Sequence, residues 1–509
     1  VLKINGEDLN LESVWDVAHK GVNVSLGEEA LVKVLESRQV IDEIIKGDET
    51  HYGINTGFGA LSSIGISKDQ LIKLQKNIVR SHSVGVGQPF TIPETRAILL
   101  LRANALSRGH SGVRPVVIEK ILEFLNKNIN PVIPGQGSVG ASGDLAPLAH
   151  VALSLMGEGE VIYQDRRMRT DEALNLSGVT PLELKAKEGL SLINGCQVMT
   201  GVGLLNAFEA RRLNWLTDLA GSMSLEAMRG SRKAFDPLIA ATRAHPGEAK
   251  TARNLLKILG EKSQISDSHD FCGKVQDAYS LRCMPQVHGA VKDSLRYAVN
   301  VLEVEANSST DNPLVFAKEG KILSCGNFHG EPVAFVLDFL GMSVAAMASI
   351  SECRIEKLIN PNMSGLPAFL TKNGGLNSGM MIVQVAAASL VSENKILSHP
   401  ASVDSIPTSA DKEDHVSMGT IAARKLGQIV RNAENVCAME LFCAAQALDF
   451  VKPAKPAAGV LKAYDCIRKS VSFAEEDRAF YEDIDKIREL IRDNTLLDSV
   501  TGEIGALEW

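Results

Sequence analysis

Apolar residues recur at three- and four-residue spacing over 28–45, 68–79, 93–106 and 115–126, the period of helices that bury one face. Pro93 and Pro115 open the last two, where a missing N–H costs nothing. The first fifty residues otherwise mix short alternating runs with the 28–45 pattern. Two segments break the rhythm. His51-Tyr52-Gly53-Ile54-Asn55-Thr56-Gly57-Phe58-Gly59 carries three glycines in seven positions and cannot be a regular element. The second, 129–143, is rich in Gly and Pro and ends at Asp144, the expected N-cap of an apolar helix over 145–156 with Pro147 in its first turn. A turn and strand pattern around 157–165 and a polar connection to about Gly189 follow.

From Asn194 onward the pattern changes. Stretches over 197–225, 285–306, 333–358, 380–397 and 422–448 are Ala-rich, keep helical spacing and carry few charges on any face. Helices apolar nearly all round must be covered on all sides, which predicts the interior of a large bundle, within one subunit or shared between subunits. The linkers 263–277, 308–313, 360–379 and 399–417 are polar or rich in Gly and Pro, and irregular segments inside a helical protein are usually functional. The expected fold is mainly α, with a region over 1–193 that carries the glycine-rich loops and a helical region over 194–509. The charge-rich helical pattern at 475–489 reads as a solvated face.

Composition narrows this. The 509 residues are 45% hydrophobic, 22% charged and only 5% aromatic, with a mean hydropathy of +0.03, as in a globular chain of close-packed helices rather than a sandwich, a disordered chain or a membrane protein. A formal charge of -8 leaves no excess of cation for a nucleic-acid backbone. Eight scattered cysteines, none in a CxxC pair, argue against a disulfide scaffold or a zinc ribbon and suit a reducing cytosol. Residues 1–10 lack the basic head and apolar core of a signal peptide, and the apolar run 333–350 is broken by Asp338 and Gly341, so it reads as a buried helix; a cytoplasmic location is expected. The eleven histidines form no HExxH or HxH pair, so no metal site is expected, and no GxSxG or P-loop is present.

Gly135-Gln136-Gly137-Ser138-Val139-Gly140 matches the GxGxxG of dinucleotide-binding loops, with Glu158 and Glu160 following where a ribose ligand would stand. Three features oppose that reading. Pro131 and Pro134 do not suit a central parallel strand, Asp144 would repel a pyrophosphate at the helix start, and no alternation of strands and helices surrounds the segment. The adjoining Ala141-Ser142-Gly143, taken alone, reads as a flexible turn, yet its chemistry is unusual. Glycine's unhindered nitrogen can attack the carbonyl two residues back, and loss of the serine hydroxyl then leaves a conjugated exocyclic alkene. Such a ring is an electrophile, and the positive end of the following helix would favour the charge that develops on it.

The run Gly137-Ser138-Val139-Gly140-Ala141-Ser142-Gly143-Asp144-Leu145-Ala146-Pro147-Leu148 resembles the signature of the aromatic amino-acid ammonia-lyases. The resemblance extends through the 52–59 loop, Ile193-Asn194-Gly195, 275–282, Asn312-Pro313, Gly326-Asn327-Phe328-His329-Gly330 and Glu413-Asp414-His415. It implies that Ala141, Ser142 and Gly143 cyclise to 4-methylideneimidazol-5-one, with no external cofactor. It further implies Tyr52 as the base, Arg282 as the clamp on a substrate carboxylate with Tyr279 nearby, Gln276 and Asn194 as hydrogen-bond partners, and Phe328 packed beside the electrophile. The chain departs from the family's common pattern at Cys196 and Ala278, where Thr and Pro are frequent; neither change removes a reactive group.

Two positions speak to the substrate. Ser81-His82 is the histidine-type pair where tyrosine and phenylalanine lyases carry His-Leu or Phe-Leu, and Glu413 can accept a hydrogen bond from an imidazole N–H, which a phenyl ring does not offer. The resemblance therefore implies elimination of ammonia from L-histidine to give trans-urocanate. It also implies the aspartase and fumarase type of central long-helix bundle with a smaller mixed N-terminal part, and a homotetramer of dihedral symmetry whose sites are built from several subunits. A lyase for phenylalanine or tyrosine, an aminomutase, and a scaffold whose loop never cyclises remain as alternatives, as does amine or ring attack on the electrophile.

Overall fold

Local signals decide where the N-terminal helices start. Ile92–Ser107 opens on Pro93 behind a capping box, in which the Thr91 hydroxyl accepts from the Glu94 amide (3.4 Å) and the Glu94 carboxylate accepts from the Thr91 amide (2.7 Å). Pro115–Asn126 begins on its proline. Asn10 and Ser13 form another capping box and start Leu11–Lys20, a helix within the stretch that the pattern reads as alternating runs. The computed structural model describes all residues except 48–50, 58, 62–63 and 269–274; Phe58 and Cys272 lie outside the described residues.

The chain is mainly α, and its strands are short. Val86–Pro89 pairs antiparallel with Pro134–Gln136, so the strand before the GxGxxG run sits in a two-stranded antiparallel ribbon and not in a βαβ unit. Leu2–Ile4 and Val24–Leu26 form a parallel pair, Asn130–Pro131, Glu160–Tyr163 and Arg166–Arg169 an antiparallel sheet, and Leu314–Phe316 and Lys321–Leu323 a hairpin.

Two compact units divide the chain. The first holds Val1–Phe208, Ala298–Asp338 and Pro400–Gly427, the second Glu209–Tyr297, Phe339–His399 and Gln428–Trp509. Four of the boundaries fall inside the long helices Gln197–Ala227, Met284–Ala306, Glu331–Ile359 and Gly419–Phe450. In the first unit, Ile92–Ser107 is buried at every position from Thr95 to Ser107. That includes Arg102, whose pKa burial lowers to about 10 while it donates to the Asn194 carbonyl (2.8 Å) and Gln197 Oε1 (2.7 Å). The second unit buries a charge network. Glu440 accepts from Arg354 Nε (2.5 Å) and Nη2 (2.8 Å), from Ser224 Oγ (2.8 Å) and from Ser351 Oγ. Asp218 accepts from His288 Nδ1 (2.8 Å), Lys292 Nζ (2.8 Å) and Asn254 Nδ2 (3.0 Å).

Coverage on all sides is not found for every Ala-rich helix. Met381–Leu397 buries Val383, Ala387 and Asn394 but exposes Ile382, Val385 and Ile396, which nothing among the described residues covers. Glu331–Ile359 is long and apolar enough to cross a membrane by length and composition. The interrupting Asp338 is nevertheless buried, accepting from the Ala401 and Ser402 amides (2.8 Å each) and from Lys425 (3.1 Å).

Candidate active site

The Ala141-Ser142-Gly143 turn is held by backbone contacts that only glycine allows at its last position. Gly143 has φ +72° and a Cβ there would stand 2.2 Å from the Gly195 carbonyl oxygen. The Gly195 amide donates to the Ser142 carbonyl (3.3 Å), the Asp144 amide to the Gly195 carbonyl (2.7 Å), and Ser138 Oγ to the Gly143 carbonyl (3.2 Å). The triplet is thus tied to the segment that carries Asn194.

Asp144 takes the N-cap position of Leu145–Leu155, but its side chain makes no bond to that helix, contrary to the expected cap. Its backbone at φ -97°, ψ 51° lies outside the extended region usual for a cap, and the carboxylate instead accepts from the Val198 (2.9 Å) and Met199 (3.0 Å) amides and from Thr420 Oγ1 (2.5 Å). One buried carboxylate therefore joins the Ala141-Ser142-Gly143 turn, the start of Gln197–Ala227 and the start of Gly419–Phe450; burial raises its pKa to about 6 against those three hydrogen bonds.

Glu413 stands at the centre of the remaining candidates in this unit. Ser142 Oγ donates to its Oε1 (3.3 Å) and Thr408 Oγ1 to its Oε2 (2.9 Å). His82 ends Leu71–His82, a helix that runs on past the expected 68–79 pattern through the Ser81-His82 pair; Ser81 Oγ lies 3.1 Å from His82 Nδ1. Burial lowers the His82 pKa, and the Glu413 charge opposes that shift. Tyr52 is pushed up from the ordinary phenol range, first by burial and then by the Glu413 and Asp311 charges, with a hydrogen bond from the Gly59 backbone pulling the other way. Left to these neighbours the phenol keeps its proton, the reverse of what a base needs.

Asn194 donates to Asp311 Oδ1 (3.1 Å) and to the Asn312 carbonyl (3.1 Å), while its own Oδ1 is buried without a hydrogen-bond partner. Asp311 is fully committed, accepting also from Lys187 Nζ (2.8 Å) and Ser191 Oγ (2.9 Å). Cys196 donates its S–H to the Phe328 carbonyl (3.0 Å), so the departure at 196 fastens the Phe328 segment beside Asn194. A tight turn closed at Gly143, a hydroxyl directed at a carboxylate and an orphaned Asn194 oxygen together suit the ring that the resemblance implies.

Asp311, Lys187 and Glu305 are titratable groups that the sequence does not single out, and Asp144 and Cys196 make contacts that it does not foresee. Burial raises the Glu305 pKa to about 7, with the Asp144 charge adding and a Cys196 hydrogen bond opposing. Such a carboxyl favours the protonated fold, so its contribution to stability is complete below its ordinary 4.5 and is lost as pH rises through about 7. Glu305→Gln is expected to remove that loss. The fall in unfolding free energy between about pH 5 and about pH 8, followed by urea denaturation, should shrink by on the order of 2 kcal/mol.

Gln276, Tyr279 and Arg282 belong to the second unit. Gln276 is exposed, as is Tyr279 at 72%; the Arg282 guanidinium carbon lies 4.5 Å from the Tyr279 ring centroid, and Arg282 Nε is buried without a hydrogen-bond partner. Tyr279–Arg282 is a single helical turn, held at its far end by the buried Arg354, whose Nη1 donates to the Ser280 carbonyl (3.4 Å).

The sequence model of the aromatic amino acid lyases matches residues 9–469. The chain is 49% identical to the histidine ammonia-lyase of Alkaliphilus metalliredigens over 99% of both chains. Among solved structures it resembles a histidine ammonia-lyase from Trypanosoma cruzi (TM-score 0.92, 41% identity, 99% of this chain and 95% of that one). It also resembles a tyrosine aminomutase from Streptomyces globisporus (TM-score 0.95, 36% identity, 100% of both chains).

Proposed function

The chain belongs to the aromatic amino acid lyase family, and from that premise we propose that it eliminates ammonia from L-histidine to give trans-urocanate, the first step in breaking histidine down. One observation carries the choice of substrate: the Glu413 carboxylate, 3.3 Å from Ser142 Oγ, also bears electrostatically on His82 and on Tyr52. An imidazole side chain entering between these groups has a carboxylate for its N–H and an imidazole beside it. A phenyl ring offers that carboxylate no hydrogen bond and would leave its charge unpaired, at a cost of several kcal/mol as a rough scale.

The 4-methylideneimidazol-5-one formed from Ala141, Ser142 and Gly143 supplies an electrophile, and no external cofactor is required. Asn194 offers its unpartnered Oδ1 as an acceptor, and Phe328 shields the turn from water. Arg282 receives the substrate carboxylate, with Tyr279 and Gln276 completing the polar contacts. Tyr52 takes the β-proton; the substrate's ammonium group supplies positive charge that works against the burial and the two carboxylates now holding the phenol protonated. The exposure of Tyr279 and Gln276, together with the uncovered apolar side of Met381–Leu397, supports a homotetramer in which several subunits contribute to each site. The cytoplasm is the proposed location.

The test is turnover of L-histidine, L-tyrosine and L-phenylalanine by the purified protein with product identification by mass spectrometry. Urocanate from L-histidine is the expected product. Preference for tyrosine, or a β-amino acid in place of an unsaturated acid, would overturn the assignment. Tyr52→Phe is expected to lower kcat about 10²- to 10³-fold, within the span of general-base catalysis, when measured at saturating L-histidine.

A further inference from the structure

The segment that carries Phe328 continues into His329, Gly330 and the first residue of Glu331–Ile359, and the segment that carries Glu413 continues into His415. We propose that His329, Glu331 and His415 form a binding site for a divalent transition-metal ion of the zinc type. All three residues lie in the first unit, and their donor atoms lie within 4.8 Å of one another.

Two independent details point to a cation. His329 Nε2 lies 3.2 Å from the His415 backbone carbonyl, an acceptor only, so Nε2 carries a proton and, in the neutral ring, Nδ1 presents its lone pair. A metal-bound imidazole is held in this way, with one ring N–H donated to a carbonyl and the other nitrogen left to ligate. That Nδ1 faces Glu331 Oε2 at 3.9 Å, too far for a hydrogen bond, and Glu331 Oε2 is buried with no hydrogen-bond donor. The two face each other favourably only with positive charge between them, and a metal ion can supply it in place of a proton on Nδ1. The rings of His329 and His415 lie 5.8 Å apart by centroid, which puts a ring nitrogen of the exposed His415 in position to close the set. Two imidazoles and one carboxylate make a usual set for zinc with a fourth position open; drawing the donors to the ~3.4 Å edges of a tetrahedron with ~2.1 Å bonds needs side-chain rotation, which the exposed His415 permits.

The spacing rules that excluded a metal site could not see this one, because His329 and Glu331 are two residues apart in an irregular entry to a helix and His415 comes from a distant loop. The bound ion would tie the Phe328 segment to the Glu413 segment and so act as a positioning device for both.

Zn²⁺ titration of the purified, chelator-dialysed protein tests the site. We expect one equivalent of Zn²⁺ per chain, bound with two imidazole nitrogens and one carboxylate oxygen by X-ray absorption. His329→Ala and His415→Ala should each weaken binding at least tenfold, and Asp414→Asn should leave it unchanged. Glu331→Gln keeps the size and the helix start, so a fold-preserving loss of affinity can be read even where a histidine variant misfolds. Failure to bind one equivalent, or unchanged affinity in His415→Ala and Glu331→Gln, would overturn the proposal. Because the readout is metal affinity, the outcome is separate from that of the lyase assignment.

Discussion

Replacing Ser142 with alanine is expected to lower turnover of L-histidine by at least about 10⁴-fold while leaving the thermal midpoint close to that of the parent. The two halves of this expectation have different causes. Ser142 is partly exposed, and its side chain makes a single hydrogen bond, 3.3 Å long, to Glu413 Oε1. Losing one such bond at a site open to solvent costs about 1 kcal/mol or less. The backbone contacts of the turn, from the Gly195, Asp144 and Ser138 groups, do not involve that hydroxyl. Alanine, however, has no leaving group, so the exocyclic alkene cannot form, and the β-hydrogen of the substrate is not acidic without it. None of the other side chains proposed for the site, Glu413, Tyr52, His82 and Asn194, is an electrophile that could replace it. Intact mass should show two waters lost from the parent and none lost as a hydroxyl from the variant, with kcat followed by product formation. Activity within tenfold of the parent would place the electrophile elsewhere.

What the sequence made legible divides by distance along the chain. Pro115–Asn126 was readable because its proline and its apolar period are both local. The candidate triplet Ala141-Ser142-Gly143 is legible only within the continuous run 137–148, whose resemblance is local in the chain. Asp144 was misassigned for the opposite reason: a carboxylate before a helix looks like its cap, and only the fold brings Val198 and Thr420 to it. The buried Lys187–Asp311 pair joins residues 124 positions apart, and no local pattern announces it. Cys196 looked like a neutral departure until the Phe328 carbonyl was found 3.0 Å away. Periodicity also cannot tell a helix covered by its own chain from one that is not, since both are apolar on every face, and among the described residues Met381–Leu397 is the second kind.

Glu440→Ala is expected to destabilise the protein by about 3–5 kcal/mol, the range for removing one partner of a buried ion pair. Glu440 and Arg354 are both fully buried, and the carboxylate accepts from both Arg354 Nε and Nη2 as well as from the hydroxyls of Ser224 and Ser351. Alanine would strand a guanidinium charge and two hydroxyls in an interior where, among the described residues, no other anion meets Arg354, whose remaining partners there are the Ser280 carbonyl (3.4 Å) and His288 Nε2 (3.3 Å). Urea denaturation at fixed protein concentration measures the effect, because association between chains would add to stability at high concentration. The pair's attraction and its desolvation cost roughly offset, so Arg354→Met combined with Glu440→Leu should recover most of the loss. A single variant within about 1 kcal/mol of the parent would mean that solvent reaches the pair. The network also reaches the chemistry. Arg354 holds the Ser280 carbonyl in the turn Tyr279–Arg282, so its release should loosen the residue assigned to the substrate carboxylate. The double exchange would then restore stability without restoring that hydrogen bond. It should leave KM for L-histidine raised, which a purely structural role for the pair would not do.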